Sequence, residues 1–203
     1  MVGAPFYLER GNDMKKAWII TAAALSAGLA QAGDGDAQYL SESRATAQAL
    51  VKQLGGELQK EMKANGPAAA IAVCRDKAPA IAAELSRQRG EKVARVSLKV
   101  RNPLIGTPDA WEQKVLADFD RRAAEGAKPE TLEFSEEVNE PQGRYFRYMK
   151  AIPTGEVCLA CHGPADKIAK DIKQRLDAEY PHDQATGYRV GQIRGAVSIK
   201  RPL

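Results

Sequence analysis

The residues with the most specific chemistry in this chain are Cys158, Cys161 and His162, which form a C-x-x-C-H run. This spacing is typical of c-type haem attachment. Two thiols three positions apart can each add to a vinyl group of one porphyrin, and the adjacent imidazole can bind its iron. A redox disulfide and half of a zinc site are the alternatives, but zinc needs four ligands and only Cys74 and His182 remain. The pattern therefore predicts one covalently attached haem c, with His162 as the proximal iron ligand.

A haem iron has a sixth position, which Met or His usually occupies. The candidates in this chain are Cys74, Met62, Met149 and His182. Cys74 lies on the apolar face of a predicted helix, and it has no cysteine left to pair with once the other two are thioethers. An iron would stabilise its thiolate, while an inert buried cysteine is the equal alternative. His182 follows Pro181 in a polar loop, and the methionines occupy positions where packing is expected.

The N-terminal region has the organisation of a secretion signal. Met14 precedes two lysines, residues 17–30 are almost wholly apolar, and Ala30-Gln31-Ala32 has the A-x-A pattern of a cleavage site. The apolar run is short for a membrane span, although a retained anchor is the alternative.

Covalent haem attachment takes place outside the cytoplasm, so the two motifs agree with each other. We expect residues 1–32 to be an extension plus signal peptide, with the true start at Met14 and cleavage after Ala32. Residues 33–203 would then be a single periplasmic haem domain without a membrane span.

Composition and motifs disfavour several other functions. The chain has 203 residues, enough for one domain with a core, and 30 basic against 26 acidic residues. No basic cluster is interleaved with aromatic residues, so nucleic-acid binding has little support. No paired carboxylates, glycine-rich phosphate loop or Ser-His-Asp set stands out, so we do not expect an enzyme.

The elements that must position the haem motif are predicted from periodicity and turn residues. Hairpin strands with separate helices indicate an α+β fold with a small antiparallel sheet. The predicted helices are 38–64, 67–89, one that begins at Thr107-Pro108 and 165–180, and the predicted strands are 92–100, 131–138, 144–152 and 193–200.

Two local features refine these predictions. Pro79 lies inside the second helix and removes the hydrogen bond to the Arg75 carbonyl, so a kink is expected just beyond Cys74. Thr107 is expected to cap the third helix, with Pro108 at its first position.

Several motifs in order resemble a known family of c-type haem proteins with a PAS-like fold, long catalogued as a domain of unknown function. The likeness covers residues 43–203. The matching segments are 70–79 around Cys74, Val96 to Pro103, Pro108 to Glu112, Phe146 to Ile152, Cys158 to Gly163, Ala185 to Arg189 and Ile193 to Ala196.

The resemblance implies a haem in a PAS-like α+β domain, with His162 as proximal ligand and Cys74 as distal thiolate. It also implies a redox or small-ligand (gas) sensor that acts through a separate signalling partner; a simple electron-transfer cytochrome c with a redox partner is the alternative. Arg101, Arg144, Arg147 and Tyr148 flank the matched motifs and are candidates for pairing with haem propionates. Solvated strand positions are the alternative for these four residues.

Overall fold

The structure is a computed structural model that describes residues 31–203, with side chains from residue 35 onward. The N-terminal extension and the predicted signal segment up to Ala30 lie outside these residues. Along the described part of the chain, no helix combines the length and the apolar character needed to cross a bilayer.

The described residues form helices, one antiparallel sheet and short turns. The helices are α1 Gln31–Ala72, α2 Ala78–Arg89, α3 Pro103–Gly106, α4 Ala110–Ala124, α5 Leu159–His162 and α6 Lys170–Glu179. The strands are β1 Lys92–Val96, β2 Glu133–Glu140, β3 Gly143–Pro153 and β4 Ile193–Pro202. A π-helical turn, Val73–Lys77, joins α1 to α2, and 3₁₀ turns lie at Pro129–Thr131 and Glu156–Cys158.

Helix α1 is interrupted at Gly66, where φ is 82° and ψ is 172°. This φ lies in the left-handed region that glycine adopts without steric cost. Pro67 then starts a new helical stretch at a position that needs no amide hydrogen. The predicted break between the first two helices is confirmed, although the first begins at Gln31 rather than at residue 38.

The π-turn carries Cys74 between α1 and α2. In this turn the Ala78 amide donates to the Val73 carbonyl, five residues earlier. Pro79 has no amide for the Arg75 carbonyl, and its ring crowds that carbonyl, so the turn widens. The predicted kink is confirmed, and it takes the form of a π-turn that contains Cys74 itself.

Strand β1 ends at Val96, so the prediction of a strand to Val100 was wrong. The Ser97 amide donates to the Gly106 carbonyl at 3.2 Å instead of continuing the sheet. The Ser97 hydroxyl donates to the Arg194 carbonyl at 2.7 Å, which fixes the chain where it leaves the sheet.

The cap of α4 is Asp109, not Thr107. Asp109 accepts the Glu112 amide at 2.9 Å, and Glu112 accepts the Asp109 amide at 2.8 Å, which forms a capping box. Thr107 lies two residues before this cap and ends α3, where its hydroxyl donates to the Pro103 carbonyl at 2.7 Å. The last helix also begins later than predicted, at Lys170, after a turn that starts at Pro164.

The four strands form one antiparallel sheet in the order β1-β4-β3-β2. The predicted hairpin is confirmed as β2 and β3, with Glu140 opposite Gly143 at its tip. The last strand lies between β1 and β3, where it joins the two parts of the sheet. The fold is therefore α+β, as predicted.

Helices cover both faces of the sheet because successive strand residues alternate between them. One face packs against α4, and the buried cluster there includes Val96, Leu116, Phe119, Met149 and Ala196. The other face packs against α1 and α2, and its buried cluster includes Leu50, Leu85, Val93, Val197 and Ile199. A third cluster joins Ile71 of α1 to α6, with Cys161 packed against it. This third contact connects the C-x-x-C-H segment to the α1 side of the molecule.

Candidate cofactor site

A cleft of about 690 Å³ lies between α1, the π-turn, β1 and the C-x-x-C-H segment. The four residues that the sequence assigns to the cofactor, Cys74, Cys158, Cys161 and His162, all line it. Most of the remaining wall is apolar, and it comes from α1, α2, β1 and the segment between β1 and α4. A cleft of this size with apolar walls and a few polar groups is typical of a small-molecule or cofactor site.

The two cysteines of the motif lie on one compact turn. Cys158 ends a 3₁₀ turn, and α5, which follows, is a single helical turn that ends at His162. The Gly163 amide closes it by donating to the Leu159 carbonyl at 2.9 Å. A Cβ at Gly163 would lie 2.6 Å from that carbonyl oxygen, so the tight closure needs glycine. Because helical positions three apart share one side, both thiols can face the cleft.

The His162 ring is oriented by a backbone carbonyl. Its Nδ1 lies 2.7 Å from the Ala185 oxygen, and since a carbonyl only accepts, Nδ1 carries the proton. Burial lowers the pKa of His162 well below its ordinary value, and the nearby charges of Arg194 and Arg101 lower it further. The imidazole is therefore neutral at pH 7 with a lone pair on Nε2, the form that binds a metal.

The Arg101 guanidinium connects the C-x-x-C-H segment to the loop before β4. It donates to the Cys161 carbonyl at 2.6 Å and pairs with Asp183 at 3.0 Å. The side chains of this ion pair are each 11% exposed, so both charges are largely removed from water and are compensated by each other. The His162 carbonyl accepts the Tyr188 amide at 2.9 Å. This is a second contact between the C-x-x-C-H segment and the loop before β4.

Cys74 is half-buried on the π-turn and close to groups across the cleft. Burial raises the pKa of Tyr180 to about 12, and the Cys74 thiol adds to this rise. Burial also raises the pKa of Cys161, with a further small contribution from Cys74. All three cysteines are free, so each thiol is available for another chemistry.

The other candidates for the sixth position differ in location. His182 is exposed and does not line the cleft, and Met149 is buried in the core between the sheet and α4. Met62 does line the cleft, from α1. The geometry therefore leaves Cys74 and Met62 as the residues that could face a group held by His162.

A bare metal ion does not fit these residues. Within residues 31–203, no group of three or more His, Cys, Asp or Glu side chains lies close enough to hold one. The thiols and the imidazole are instead distributed around a wide apolar cleft, an arrangement that suits a bulkier organic group.

Of the residues suggested as propionate partners, only Arg101 lines the cleft. Arg144 pairs with Glu137 at the surface, Arg147 pairs with Asp109, and the Tyr148 hydroxyl donates to Glu133 at 2.8 Å. These three residues therefore lie elsewhere in the sheet, and the suggestion was wrong for them.

Two arginines that the sequence did not single out, Arg95 and Arg194, do line the cleft. Arg194 belongs to the matched segment 193–196, which was the available signal. Arg95 lies in a predicted strand whose other positions alternate between apolar and polar, so nothing local distinguished it from a solvated strand residue.

The fold and the cleft together define a class, an α+β domain of PAS-like architecture with a cysteine- and histidine-lined cofactor cleft. The family model described as Tll0287-like matches residues 28–202. The chain belongs to this family, which confirms the resemblance noted in the sequence. It is similar to the crystal structure of the cyanobacterial heme-protein Tll0287, with a TM-score of 0.59 and 26% identity over 83% of this chain and 95% of that chain. No curated protein matches the sequence significantly.

Proposed function

We propose that this chain is a haem-binding protein with one haem c attached covalently through Cys158 and Cys161. The observation that carries the proposal is the meeting of both thiols, the neutral His162 imidazole and an apolar cleft of about 690 Å³ in one place. The similar heme-protein supports the same class of cofactor. When bound, the group would supply an iron that accepts and releases one electron.

His162 is the proposed proximal ligand, because its Nδ1–H···O=C bond to Ala185 leaves the Nε2 lone pair as an acceptor. An Arg101 Nη1–H lies 3.5 Å from Nε2, and the iron would take its place there. Cys74 is the proposed distal ligand. It lines the same cleft from the π-turn, and a metal-bound thiol is held as thiolate. Met62, on the neighbouring helix, is the competing donor.

The proposed role is to sense redox state or a small gaseous ligand rather than to catalyse a reaction. Cys74 stands on a π-turn, a local irregularity that can exchange with regular helix and that often marks a functional site. If Cys74 Sγ takes up a proton and withdraws when the iron is reduced, α2 can shift with it and transmit the change. The proposal includes a periplasmic location after signal cleavage and a separate signalling protein as partner.

Electron transfer is the alternative function. Apolar side chains at the edge of the cleft are exposed, with Leu104 93%, Ile105 51% and Val157 46% accessible. Such a rim fits a transient encounter with a redox protein. Fixed six-coordination in both oxidation states would favour this reading.

Covalent attachment is tested by acid–acetone extraction of protein made in cells competent for cytochrome maturation. The denatured wild-type chain should stay coloured, and the Cys158→Ser/Cys161→Ser double variant should lose its colour. A colourless wild-type chain would refute the proposed function.

The distal ligand is tested by electron paramagnetic resonance of the ferric protein. We expect a low-spin thiolate signal in the wild type, its loss in Cys74→Ser and its retention in the control Met62→Leu. A low-spin signal without thiolate character that survives Cys74→Ser and is lost in Met62→Leu would assign the position to Met62.

Sensing and electron transfer are separated by adding carbon monoxide to the reduced protein. A spectral change indicates that the sixth position opens on reduction and supports sensing. An unchanged spectrum indicates a closed electron carrier.

A further inference from the structure

Arg95 and Arg194 are an unusual pair of cations within the cleft. Arg95 projects from β1 and Arg194 from the start of β4, and both are half-buried cleft-lining residues. Within residues 35–203, neither guanidinium makes a hydrogen bond or ion pair with an acidic side chain. The two charges are thus held near each other with no compensating anion in the described part of the protein.

Other shielded arginines in this protein are compensated. Arg101 pairs with Asp183, Arg147 with Asp109 and Arg201 with Glu91. Removing a charge from water without a partner is costly, which is why shielded guanidiniums normally have a carboxylate. Unlike Arg101, Arg147 and Arg201, the guanidiniums of Arg95 and Arg194 have no carboxylate partner among the described residues.

The charges of the pair also affect each other. Burial lowers the pKa of Arg95 to about 10, and the repulsion from Arg194 contributes to the change. A pKa of about 10 still leaves Arg95 protonated at pH 7. An anion that entered the cleft beside the two guanidiniums would relieve their mutual repulsion.

The backbone is built to keep the two arginines close. Arg194 precedes Gly195, whose φ is 158° and where a Cβ would lie 2.4 Å from the Val96 carbonyl oxygen. Only glycine permits this approach of β4 to the end of β1. The sheet register is shifted at the neighbouring Ile152 and Pro153, so Arg194 is placed by an irregularity rather than by the regular pleat.

We propose that Arg95 and Arg194 bind the two propionate carboxylates of the haem. This inference rests on the proposed function, because it concerns the same cleft and cofactor. A haem presents two carboxylates on one edge of an otherwise apolar ring, which matches two unpaired guanidiniums on one wall of an otherwise apolar cleft. Arginine is suited to the task since its planar fork binds a carboxylate through two parallel hydrogen bonds. Arg101 is not needed, because Asp183 already compensates it.

The haem-loaded protein with Arg95→Gln, with Arg194→Gln and with both changes tests the inference. Each change leaves a propionate charge uncompensated, which disfavours the added electron on the iron. The midpoint potential should therefore shift to more negative values, with the double variant shifted furthest. The propionate bending bands in resonance Raman spectra should also move, since they report hydrogen bonding to these carboxylates.

Arg122→Gln is the matched control, because it removes one positive charge from a partly exposed position on α4, outside the cleft. It should change neither the Raman bands nor the potential appreciably. If a glutamine variant misfolds, Arg95→Lys and Arg194→Lys keep the charge but lose the two-pronged contact, and they should give smaller shifts in the same bands.

Unchanged propionate bands and an unchanged potential in the double variant would overturn the inference. Acid–acetone extraction of each variant keeps this outcome apart from a failure of the proposed function. A coloured chain with unchanged bands refutes only the arginine assignment, whereas a colourless wild-type chain refutes haem attachment itself.

Discussion

At the scale of single residues, the backbone of the turn from Cys158 to Gly163 determines the position of the His162 ring. His162 is held through Nδ1 by the Ala185 carbonyl, which selects both its tautomer and its ring orientation. Gly163 follows at once and brings its own amide to the Leu159 carbonyl. A substitution at residue 163 is therefore expected to shift the His162 ring through the backbone, without a direct side-chain contact.

Replacing Gly163 by alanine should reduce haem attachment and stability. The new Cβ would lie 2.6 Å from the Leu159 oxygen, so the turn must open and His162 must move. We expect a severalfold lower yield of haem-bearing protein and a lower melting temperature, measured by absorbance and by circular dichroism.

Gly155→Ala is the control at the other end of the same segment, where a Cβ would meet no atom within 4 Å. It should behave like the wild type. Equal effects of the two substitutions would contradict the argument from close contact at Gly163.

At the scale of elements, the π-turn Val73–Lys77 determines where Cys74 lies relative to α2. A hydrogen-bonded ring in a π-turn contains one residue more than a ring in an α-helix. Because one residue corresponds to about 100° of helical rotation, relaxation to α-helix can rotate the Cys74 side chain by up to about 100° relative to α2. Pro79 keeps the turn wide by removing an amide and crowding the Arg75 carbonyl.

Pro79→Ala should convert the π-turn to regular helix and turn Cys74 away from its position in the cleft. We expect the ferric low-spin thiolate signal in electron paramagnetic resonance to weaken or disappear while the helix content rises slightly. Pro67→Ala is the control, because Pro67 begins a helical stretch and interrupts none. A wild-type spectrum for Pro79→Ala would show that other contacts hold the turn.

At the scale of the whole molecule, the sheet carries ion pairs to the helices on both faces. Arg201 on β4 pairs with Glu91 and with Glu42 of α1. On the other face, the nearly buried Arg147 of β3 pairs with Asp109, the cap of α4, at 2.6 Å. These long-range pairs connect segments far apart in sequence, so their loss should affect global unfolding.

Asp109→Asn should lower the free energy of unfolding at pH 7 by on the order of 1 kcal/mol, since it weakens the pair with Arg147. Partial burial raises the pKa of Asp109, but hydrogen bonds from Arg147 and the Glu112 amide outweigh it and hold the pKa below 3.8. A carboxyl whose folded-state pKa is lowered stabilises the fold above its unfolded pKa, and this contribution is lost as the pH falls through the folded value. The stability gap between wild type and variant should therefore narrow between pH 7 and pH 3 in urea unfolding.

Asp118→Asn is the control for this titration, because Asp118 makes only surface pairs within α4. Surface pairs of this kind contribute little, so its effect should be small at every pH. A gap for Asp109→Asn that stays constant to pH 3 would contradict the assigned charge contact.

Local patterns in the sequence were sufficient for the fold class and most elements, and they singled out the C-x-x-C-H segment that lines the cleft. The C-x-x-C-H spacing, the Gly66-Pro67 break and the β2–β3 hairpin each depend on residues that are neighbours along the chain. The errors at Val100 and Thr107 arose where long-range or competing contacts outweigh local preference. Ser97 bonds to Gly106 and to the backbone of Arg194, and Thr107 ends α3 while the carboxylate of Asp109 caps α4.

The sequence by itself determined which thiols and which imidazole are the candidates for holding a cofactor, because the C-x-x-C-H spacing lies within five consecutive residues. Only the tertiary structure decided that Cys74 and Met62 share their cleft, while His182 and Met149 do not. It also brought Arg95 and Arg194 together, although they are distant along the chain. The physical reason is that Arg95 and Arg194 become neighbours through the pairing of β1 with β4 and the close approach that Gly195 permits. The register of a sheet cannot be predicted from residues that are adjacent along the chain.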